Sequence, residues 1–301
     1  MFVVGVDENG LGPRLGPLIA TAITLQVDVY RQREYCDLGK SLGVHDSKAT
    51  SGFGRMAAVE GIALALLERL HGDPPDDVDR LLEQVCFDDL GRWRASCPPG
   101  AREQCWSESV ALPVFGGQID RGRKVLEELA RASIRAVSVR SAVICASRLN
   151  SEVKRLGSKL VVDLSLFERL LLQTRALLPE DVEAVCGKTG GIRKYPGYFR
   201  HLTGYGIEEE GQGRSTYRVA GLGRVSFEVD ADARHLPVGL ASMVGKYLRE
   251  VVMERQNRFY LSRDSCLRRV SGYRDPLTAD FVEKTRALRL DLGIADNCFE
   301  R

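Results

Sequence analysis

The chain has 301 residues, of which 44% are hydrophobic and 28% charged, and its formal net charge is +2. These values are ordinary for a globular protein and exclude a global polybasic character, so any binding of nucleic acid must come from a local patch. No apolar stretch approaches the roughly 18 residues that would span a membrane, and no signal peptide is visible. We therefore expect a cytoplasmic protein without a membrane segment.

The eight cysteines are scattered and form no C-x-x-C pair. The four histidines show no spacing that is typical of metal sites either, so the sequence gives no reason to expect structural zinc. In a cytoplasmic chain of this size we expect the cysteines to be free thiols, several of them buried.

The first strand carries the clearest functional pattern. The apolar, β-branched run from Phe2 to Val6 predicts a buried strand, and Asp7 and Glu8 end it. Two carboxylates at such a place are costly unless a cation or a hydrogen-bond donor compensates them. Mg²⁺ would suit them, and the following glycines let the backbone approach a ligand. The alternative is a strand that ends in a polar turn.

Further along the chain, alternation and helical spacing predict strands and helices in mixed order. Leu18 to Gln26 is expected to pair with the first strand, and a polar linker leads from it to Val44. The remaining predicted helices are 55–70, 77–85, 118–133, 149–178 with a break near Gly157, 237–259 and 279–290, and the remaining predicted strands are 134–146, 182–186, 216–220 and 225–229. This order is typical of an α/β protein.

Three motifs resemble the type 2 ribonuclease H family, ribonuclease HII. Gly5-Val-Asp-Glu-Asn-Gly-Leu-Gly-Pro-Arg-Leu-Gly-Pro17 is similar to the family's GxDEAGRGPxxGP, and Asp46-Ser47-Lys48 before a helix is similar to DSKxL. Asp232, followed by Pro237-Val-Gly-Leu-Ala-Ser-Met-Val-Gly-Lys-Tyr-Leu-Arg-Glu250, resembles the family's Asp-turn-Pro-xx-AASIxAKxxRD. The three motifs occur in the family's order and span most of the chain.

The resemblance implies a ribonuclease H-like α/β fold, with a mixed central sheet flanked by helices. We expect a catalytic domain over residues 1–260, with an irregular excursion at about 87–117 and an insertion at about 187–223. Residues 261–301 are then a C-terminal helical extension. We expect a monomer.

The resemblance also implies a metal-dependent endonuclease that cuts the RNA strand of RNA–DNA hybrids or ribonucleotides embedded in duplex DNA. In such enzymes four carboxylates hold two divalent ions, Mg²⁺ or Mn²⁺, about 3.5–4 Å apart. Carried over to this chain, Asp7 would bridge the metals, Glu8 would bind one of them, and Asp232 would complete the far side.

The fourth carboxylate of the family's pattern is not obvious in this chain. Alignment on Gly187 puts Cys186 at that position, whereas a competing alignment uses Asp163. We favour Cys186, because Asp163 lies in an apolar-periodic run that predicts a helix. A thiol does not suit Mg²⁺, so metal affinity would fall or the chemistry would be lost. Glu183 or Asp163 could substitute.

The glycine loop departs from the family at Leu11, where the family has Arg or Lys between two glycines to recognise a 2′-hydroxyl. Gly10 and Gly12 are kept, so backbone contacts remain available, and Arg14 could supply the lost charge. We therefore expect any recognition of a 2′-hydroxyl to depend on the backbone at Gly10 and Gly12 and on Arg14.

Several further residues are candidates for binding the substrate. Lys48 and Lys246 are expected to contact phosphate, although both could be ordinary surface lysines. Ser242 shares a helix face with Lys246, and it could equally be a packed small residue. The insertion carries Lys188 among basic and aromatic residues, a composition that suits nucleic acid, although a solvated loop with packed tyrosines explains it equally well.

The leading hypothesis is therefore a ribonuclease HII-like endonuclease. One alternative is a catalytically impaired relative that only binds nucleic acid, as Cys186 and Leu11 suggest. The other is a nuclease of the same fold with a different substrate, such as a DNA junction.

Overall fold

The computed structural model describes residues 1–44, 56–88, 104 and 108–301. Its strands are β1 (Phe2–Asn9), β2 (Leu18–Gln26), β3 (Arg135–Ile144), β4 (Val182–Gly187), β5 (Tyr205–Glu210), β6 (Arg214–Val219) and β7 (Gly223–Glu228). They form one sheet in the order β3-β2-β1-β4-β7-β6-β5. β4 runs parallel to β1 and to β7, and the other neighbouring strands are antiparallel. The predicted mixed sheet is confirmed.

Helices cover both faces of this sheet. Those in the described part of the chain are α1 (Gln32–Ser41), α2 (Met56–His71), α3 (Val78–Val85), α4 (Ile119–Arg131), α5 (Ala146–Leu156), α6 (Lys159–Ala176), α7 (Ala231–Arg234), α8 (Leu236–Leu261), α9 (Pro276–Lys284), α10 (Arg286–Asp291) and α11 (Asp296–Phe299). No helix among these residues is long and apolar enough to cross a membrane.

Strand alternation divides the apolar side chains between the two faces, because successive residues of a strand point to opposite sides. Val3 of β1 and Ile19 of β2 face one core, which α2, α3, α4 and α8 complete. Val4 and Ala20, one position along each strand, face a second core, which α6 covers together with Leu149 of α5. The central strands are thus buried on both sides.

Gly5 allows α8 to begin directly against β1. A Cβ atom at this position would lie 2.2 Å from the carbonyl carbon of Pro237, closer than any real side chain approaches. Pro237 lies in the first turn of the helix, where proline's fixed φ is tolerated and its missing N–H is not needed. This contact brings α7 and the first turns of α8 next to the end of β1.

A third apolar cluster connects residues 261–301 to the rest of the molecule. Phe281 and Phe299 pack there with Phe259 and Met253 of α8 and with Leu15 of the loop after β1. Loop 10–17 is therefore covered by the segment that follows α8. The domain boundary at residue 260 stays a prediction.

Most predicted elements are confirmed, including the β1–β2 hairpin and the helix break at Gly157, which has a φ of +84°. The prediction of a polar linker after β2 was wrong, because this segment contains α1. This helix has only a short apolar side around Tyr35. The predicted C-terminal helix is divided at Thr285 into α9 and α10. The predicted insertion also contains β5, an exposed strand at the sheet edge.

Candidate active site

Asp7 lies near the end of β1, between β2 and β4. It is opposite Thr21 in the antiparallel pair, and β4 ends beside it at Gly187. A Cβ atom on Gly187 would be only 2.6 Å from Asp7 Oδ1, so the carboxylate rests against a residue without a side chain. The glycine at position 187 of β4 thus leaves room for the Asp7 carboxylate of β1.

Asp163 brings a second carboxylate to Asp7 from the second turn of α6. Its side chain is fully buried, and its Oδ2 accepts a hydrogen bond of 3.2 Å from the Thr189 hydroxyl. Its other oxygen has no hydrogen-bond partner among the described residues. Burial raises the pKa of Asp163 well above its usual value, and the charges of Glu8 and Asp7 raise it further. Asp163 is therefore a member of the carboxylate cluster.

Asp232 and Ser242 approach Asp7 from the other side, on α7 and α8. Burial raises the pKa of Asp7 well above its usual value, and repulsion by Asp232 and Glu8 adds to the effect. Ser242 lies close enough to Asp7 for its side chain to act in the opposite direction and lower this pKa. Ser242 is 1% exposed, in agreement with a packed small residue, and its role in substrate binding stays a prediction.

Glu8 faces the glycine loop. Its Oε2 accepts a hydrogen bond of 3.2 Å from the backbone N–H of Leu11. Burial raises the pKa of Glu8, while this hydrogen bond and the charge of Arg301 lower it. In the same loop, the Arg14 guanidinium is bound to Glu300 at 2.6 Å. Arg14 is therefore already engaged in an ion pair.

Cys186 is the next-to-last residue of β4, opposite Val6, and is fully buried in the core that α6 covers. Burial raises the pKa of its thiol, and the charges of Asp163 and Asp7 raise it further. Both residues of the competing alignments therefore lie near Asp7. The helix predicted around Asp163 is confirmed, and it is this helix that delivers the carboxylate to the cluster.

The carboxylates near Asp7 have the chemistry that a divalent cation requires. Four carboxylates, of Asp7, Glu8, Asp163 and Asp232, supply the hard oxygen ligands that Mg²⁺ and Mn²⁺ prefer. Their mutual repulsion and the unpartnered Asp163 oxygen are what a cation would relieve. Within the described ranges, however, no three acidic, His or Cys side chains already surround one point closely enough to hold a metal ion. The cluster fits a divalent cation in chemistry and charge, and its described side chains would have to move closer together to bind one.

The structure describes two of the three lysines that were predicted to bind the substrate. Asp46, Ser47 and Lys48 lie outside the described residues. Lys246 is partly exposed on α8, one turn after Ser242. Lys188 Nζ donates hydrogen bonds to the carbonyl oxygens of Gly211 at 2.7 Å and Gln212 at 2.8 Å, so it holds the β5–β6 turn.

The aromatic residues of the insertion contribute to the core. Tyr195 is fully buried and stacks on Phe227, with 3.8 Å between ring centroids. The Glu168 carboxylate accepts hydrogen bonds from the backbone N–H groups of Arg200, His201 and Leu202. The interpretation as packed tyrosines therefore describes Tyr195, whose ring is not available to stack on a base.

Sequence reasoning missed two arginines beside the glycine loop. Arg249 lies in the third motif, and its position there was the one signal that could have singled it out. The backbone of Arg301 bonds to Arg14, 287 positions earlier in the chain, and no local pattern predicts such a contact.

No family model matches the chain. Among curated proteins, ribonuclease HII of Thermofilum pendens (strain DSM 2475 / Hrk 5) is 25% identical over 134 residues. The match covers 44% of this chain and 60% of the relative, so the chain spans less than two thirds of the relative's length.

Three solved structures are similar at low scores. Ribonuclease HII of Archaeoglobus fulgidus, in a complex with PCNA, is 17% identical with a TM-score of 0.47, covering 99% of this chain and 93% of that one. Bst-RNase HIII in complex with Mn²⁺ is 15% identical with a TM-score of 0.49, at 100% and 66% coverage. Ribonuclease H2 of Pyrococcus horikoshii OT3 is 15% identical with a TM-score of 0.44, at 99% and 92%. The fold assignment rests on the strand order above, and the sequence is distantly similar to that of ribonuclease HII.

Proposed function

We propose that this protein is a metal-dependent endonuclease that cuts the RNA strand of RNA–DNA hybrids or ribonucleotides embedded in duplex DNA. The observation that carries the proposal is the convergence of Asp7, Glu8, Asp163 and Asp232 from β1, α6 and α7. Buried carboxylates that repel one another are unstable without a cation or protons, and active sites are where such groups gather. The distant similarity to ribonuclease HII supports a nuclease of the ribonuclease H type.

The four carboxylates would hold Mg²⁺ or Mn²⁺. When bound, such an ion lowers the pKa of a water molecule and stabilises charge on the leaving oxygen. Asp163 supplies a negative charge that Cys186, as a neutral thiol, does not. Ser242, which is buried beside Asp7, would hold the Asp7 carboxylate in one orientation through its hydroxyl.

For substrate contacts we retain the predicted set as part of the proposal. The loop around Gly10 and Gly12 lies next to Glu8 and offers backbone groups to a ribose, and Lys246 lies one helical turn beyond Ser242. The remaining members are Arg14, Asp46, Ser47, Lys48, Lys188 and Ser242. Arg14 and Lys188 would have to exchange their present partners to reach a phosphate.

A second candidate function is binding of nucleic acid without cleavage. It is favoured by the buried Cys186 thiol at the end of β4 and by the spacing of the carboxylates, no three of which in the described residues surround one point. Such a protein would bind duplexes in a salt-sensitive manner without any metal.

The test is a cleavage assay on two labelled duplexes, an RNA–DNA hybrid and a DNA with one ribonucleotide. Each is incubated with Mg²⁺, with Mn²⁺ or with EDTA, using the wild type, Asp7→Asn and Asp291→Asn. Asp291 is an exposed residue at the end of α10, and its variant controls for the loss of one negative charge. The proposal expects metal-dependent cleavage that Asp7→Asn abolishes and Asp291→Asn leaves intact. Duplex binding without cleavage under every condition would favour the second candidate, and cleavage that persists in Asp7→Asn would place the chemistry elsewhere.

A further inference from the structure

Two arginines contact the glycine loop, and their guanidinium groups lie close enough to repel each other. Arg249 comes from α8 and is 1% exposed, and its Cδ would lie 3.4 Å from a Cβ atom on Gly10. Arg301 binds the loop at the other end, where its backbone N–H donates to the carbonyl oxygen of Arg14 at 3.2 Å. Gly10 has a φ of +100°, so the loop turns there in a conformation that suits glycine.

Both guanidinium groups keep donors without partners. Arg249 donates from Nη1 to Glu250 and from Nη2 to the carbonyl oxygen of Ser271, while Arg301 donates from Nη2 to the carbonyl oxygen of Leu15. Arg249 Nε and Arg301 Nε and Nη1 are buried and have no hydrogen-bond partner within the described residues. A buried donor without a partner is destabilising, and more so when it belongs to a charged group.

Charges of both signs surround the pair. Arg274 and Lys159 lie close enough to Arg301 for mutual repulsion, while Glu8 faces Arg301 and Glu250 binds Arg249. The Arg249 guanidinium lies 4.6 Å from the ring centroid of Tyr273, a residue that is 48% exposed. Arg301 is partly exposed, so the site reaches solvent at Arg301 while Arg249 lies behind Tyr273.

We propose that Arg249 and Arg301 form a binding site for one backbone phosphate of a nucleic acid, next to Glu8. Guanidinium groups match a phosphate with paired donors, and they remain charged when they are buried. The ligand's identity rests on the proposed function. Leu11 carries no charge, and the charge of Arg14 is paired with Glu300. Arg249 and Arg301, which are distant from the loop in sequence, supply positive charge beside it instead.

The experiment measures binding of a labelled all-DNA duplex in EDTA, between 50 and 200 mM salt. The variants are Arg301→Gln, Arg301→Lys and, as a matched control, Arg121→Gln, which removes an exposed charge on α4. We expect Arg301→Gln to lower the slope of log affinity against log salt by about 0.9. The affinity of the wild type should then fall about 3.5-fold more over this range than that of Arg301→Gln. Arg301→Lys should retain most of the slope, and Arg121→Gln all of it.

An unchanged slope in Arg301→Gln, an equal loss in Arg121→Gln, or a wild type that does not bind the duplex would overturn the inference. Thermal unfolding of Arg301→Gln shows whether the variant is folded, and Arg301→Lys tests the charge if it is not. Because no metal is present and no bond is cut, failure of the cleavage test leaves this result standing. Failure of phosphate binding likewise leaves the cleavage result standing.

Discussion

The carboxylate of Asp7 lies against the α-carbon of Gly187, where an added methyl group would stand 2.6 Å from Asp7 Oδ1. The parallel pairing of β1 and β4 brings these strand ends together, and the absence of a side chain at Gly187 leaves room for the acid. The carboxylate of Asp163, which acts on Asp7, comes from α6 rather than from β4. The cluster is thus built across a helix and a sheet.

The first prediction concerns Gly187→Ala. The added methyl group must displace Asp7, so we expect the unfolding free energy to fall by about 1–3 kcal/mol. We expect the single-turnover rate of cleavage to fall by a larger fraction than the unfolding free energy does. Denaturant unfolding and single-turnover cleavage measure the two effects. Gly206→Ala in β5 is the control, because its Cβ meets nothing within 4 Å among the described residues. Cleavage that survives in Gly187→Ala would show that Asp7 does not need its present position.

The second prediction concerns Asp163→Asn and stabilisation by Mn²⁺. A cation that binds only the folded protein stabilises it by about 2.7 kcal/mol at 100 times its dissociation constant. Loss of a ligand that weakens binding at least tenfold removes about 1.4 kcal/mol of that effect. We expect thermal unfolding to show a clearly smaller Mn²⁺ shift in Asp163→Asn than in the wild type or in Asp291→Asn. An unchanged shift would exclude Asp163 from the metal site.

The third prediction concerns Cys186→Asp. An added buried carboxylate beside Asp163 and Asp7 should lower the melting temperature in EDTA, because it increases the repulsion in the cluster. Added Mn²⁺ should then raise the melting temperature by more than it does in the wild type. Cys186→Ser controls for the loss of the thiol. If the Mn²⁺ shifts of Cys186→Asp and the wild type agree, position 186 does not face the cation.

The fourth prediction concerns Glu168→Gln. Glu168 is 1% exposed and accepts backbone hydrogen bonds at 2.9 Å from Arg200 and 2.7 Å from Leu202, which fix the loop after the Pro196–Tyr198 turn. A neutral amide weakens these charge-assisted bonds, so we expect a loss of about 3 kcal/mol in urea unfolding. Glu152→Gln on α5, where the glutamate pairs with Arg155, should cost below about 0.5 kcal/mol. Equal losses in both variants would contradict the proposed anchoring role.

The parts of the fold that sequence patterns predicted are those that local physical chemistry determines. The apolar run before Asp7, the glycines after it and Pro237 before a long periodic stretch each depend on near neighbours. α1 was missed because helices with a short apolar side leave a weak periodic signal, and Tyr35 was too little to reveal it. β5 was missed because an exposed edge strand has no buried face to produce alternation.

The site was only partly predictable for a different reason. Asp163 lies on a helix whose residues are buried nearly all round, so the sequence pattern does not say which side faces the sheet end. The contact of Arg301 with the glycine loop depends on how the C-terminal segment packs over Leu15. Composition also could not separate a buried, stacked Tyr195 from a ring that meets a base. These outcomes depend on tertiary packing, which a linear pattern does not contain.

The most direct test of the central claim is a crystal structure with Mn²⁺, with anomalous diffraction recorded at the manganese absorption edge. The account predicts an anomalous peak between Asp7 and Glu8, with Asp163 or Asp232 completing the ligands, and loss of this peak in Asp7→Asn. A cluster without a peak at saturating Mn²⁺, or a peak bound by other residues, would contradict it.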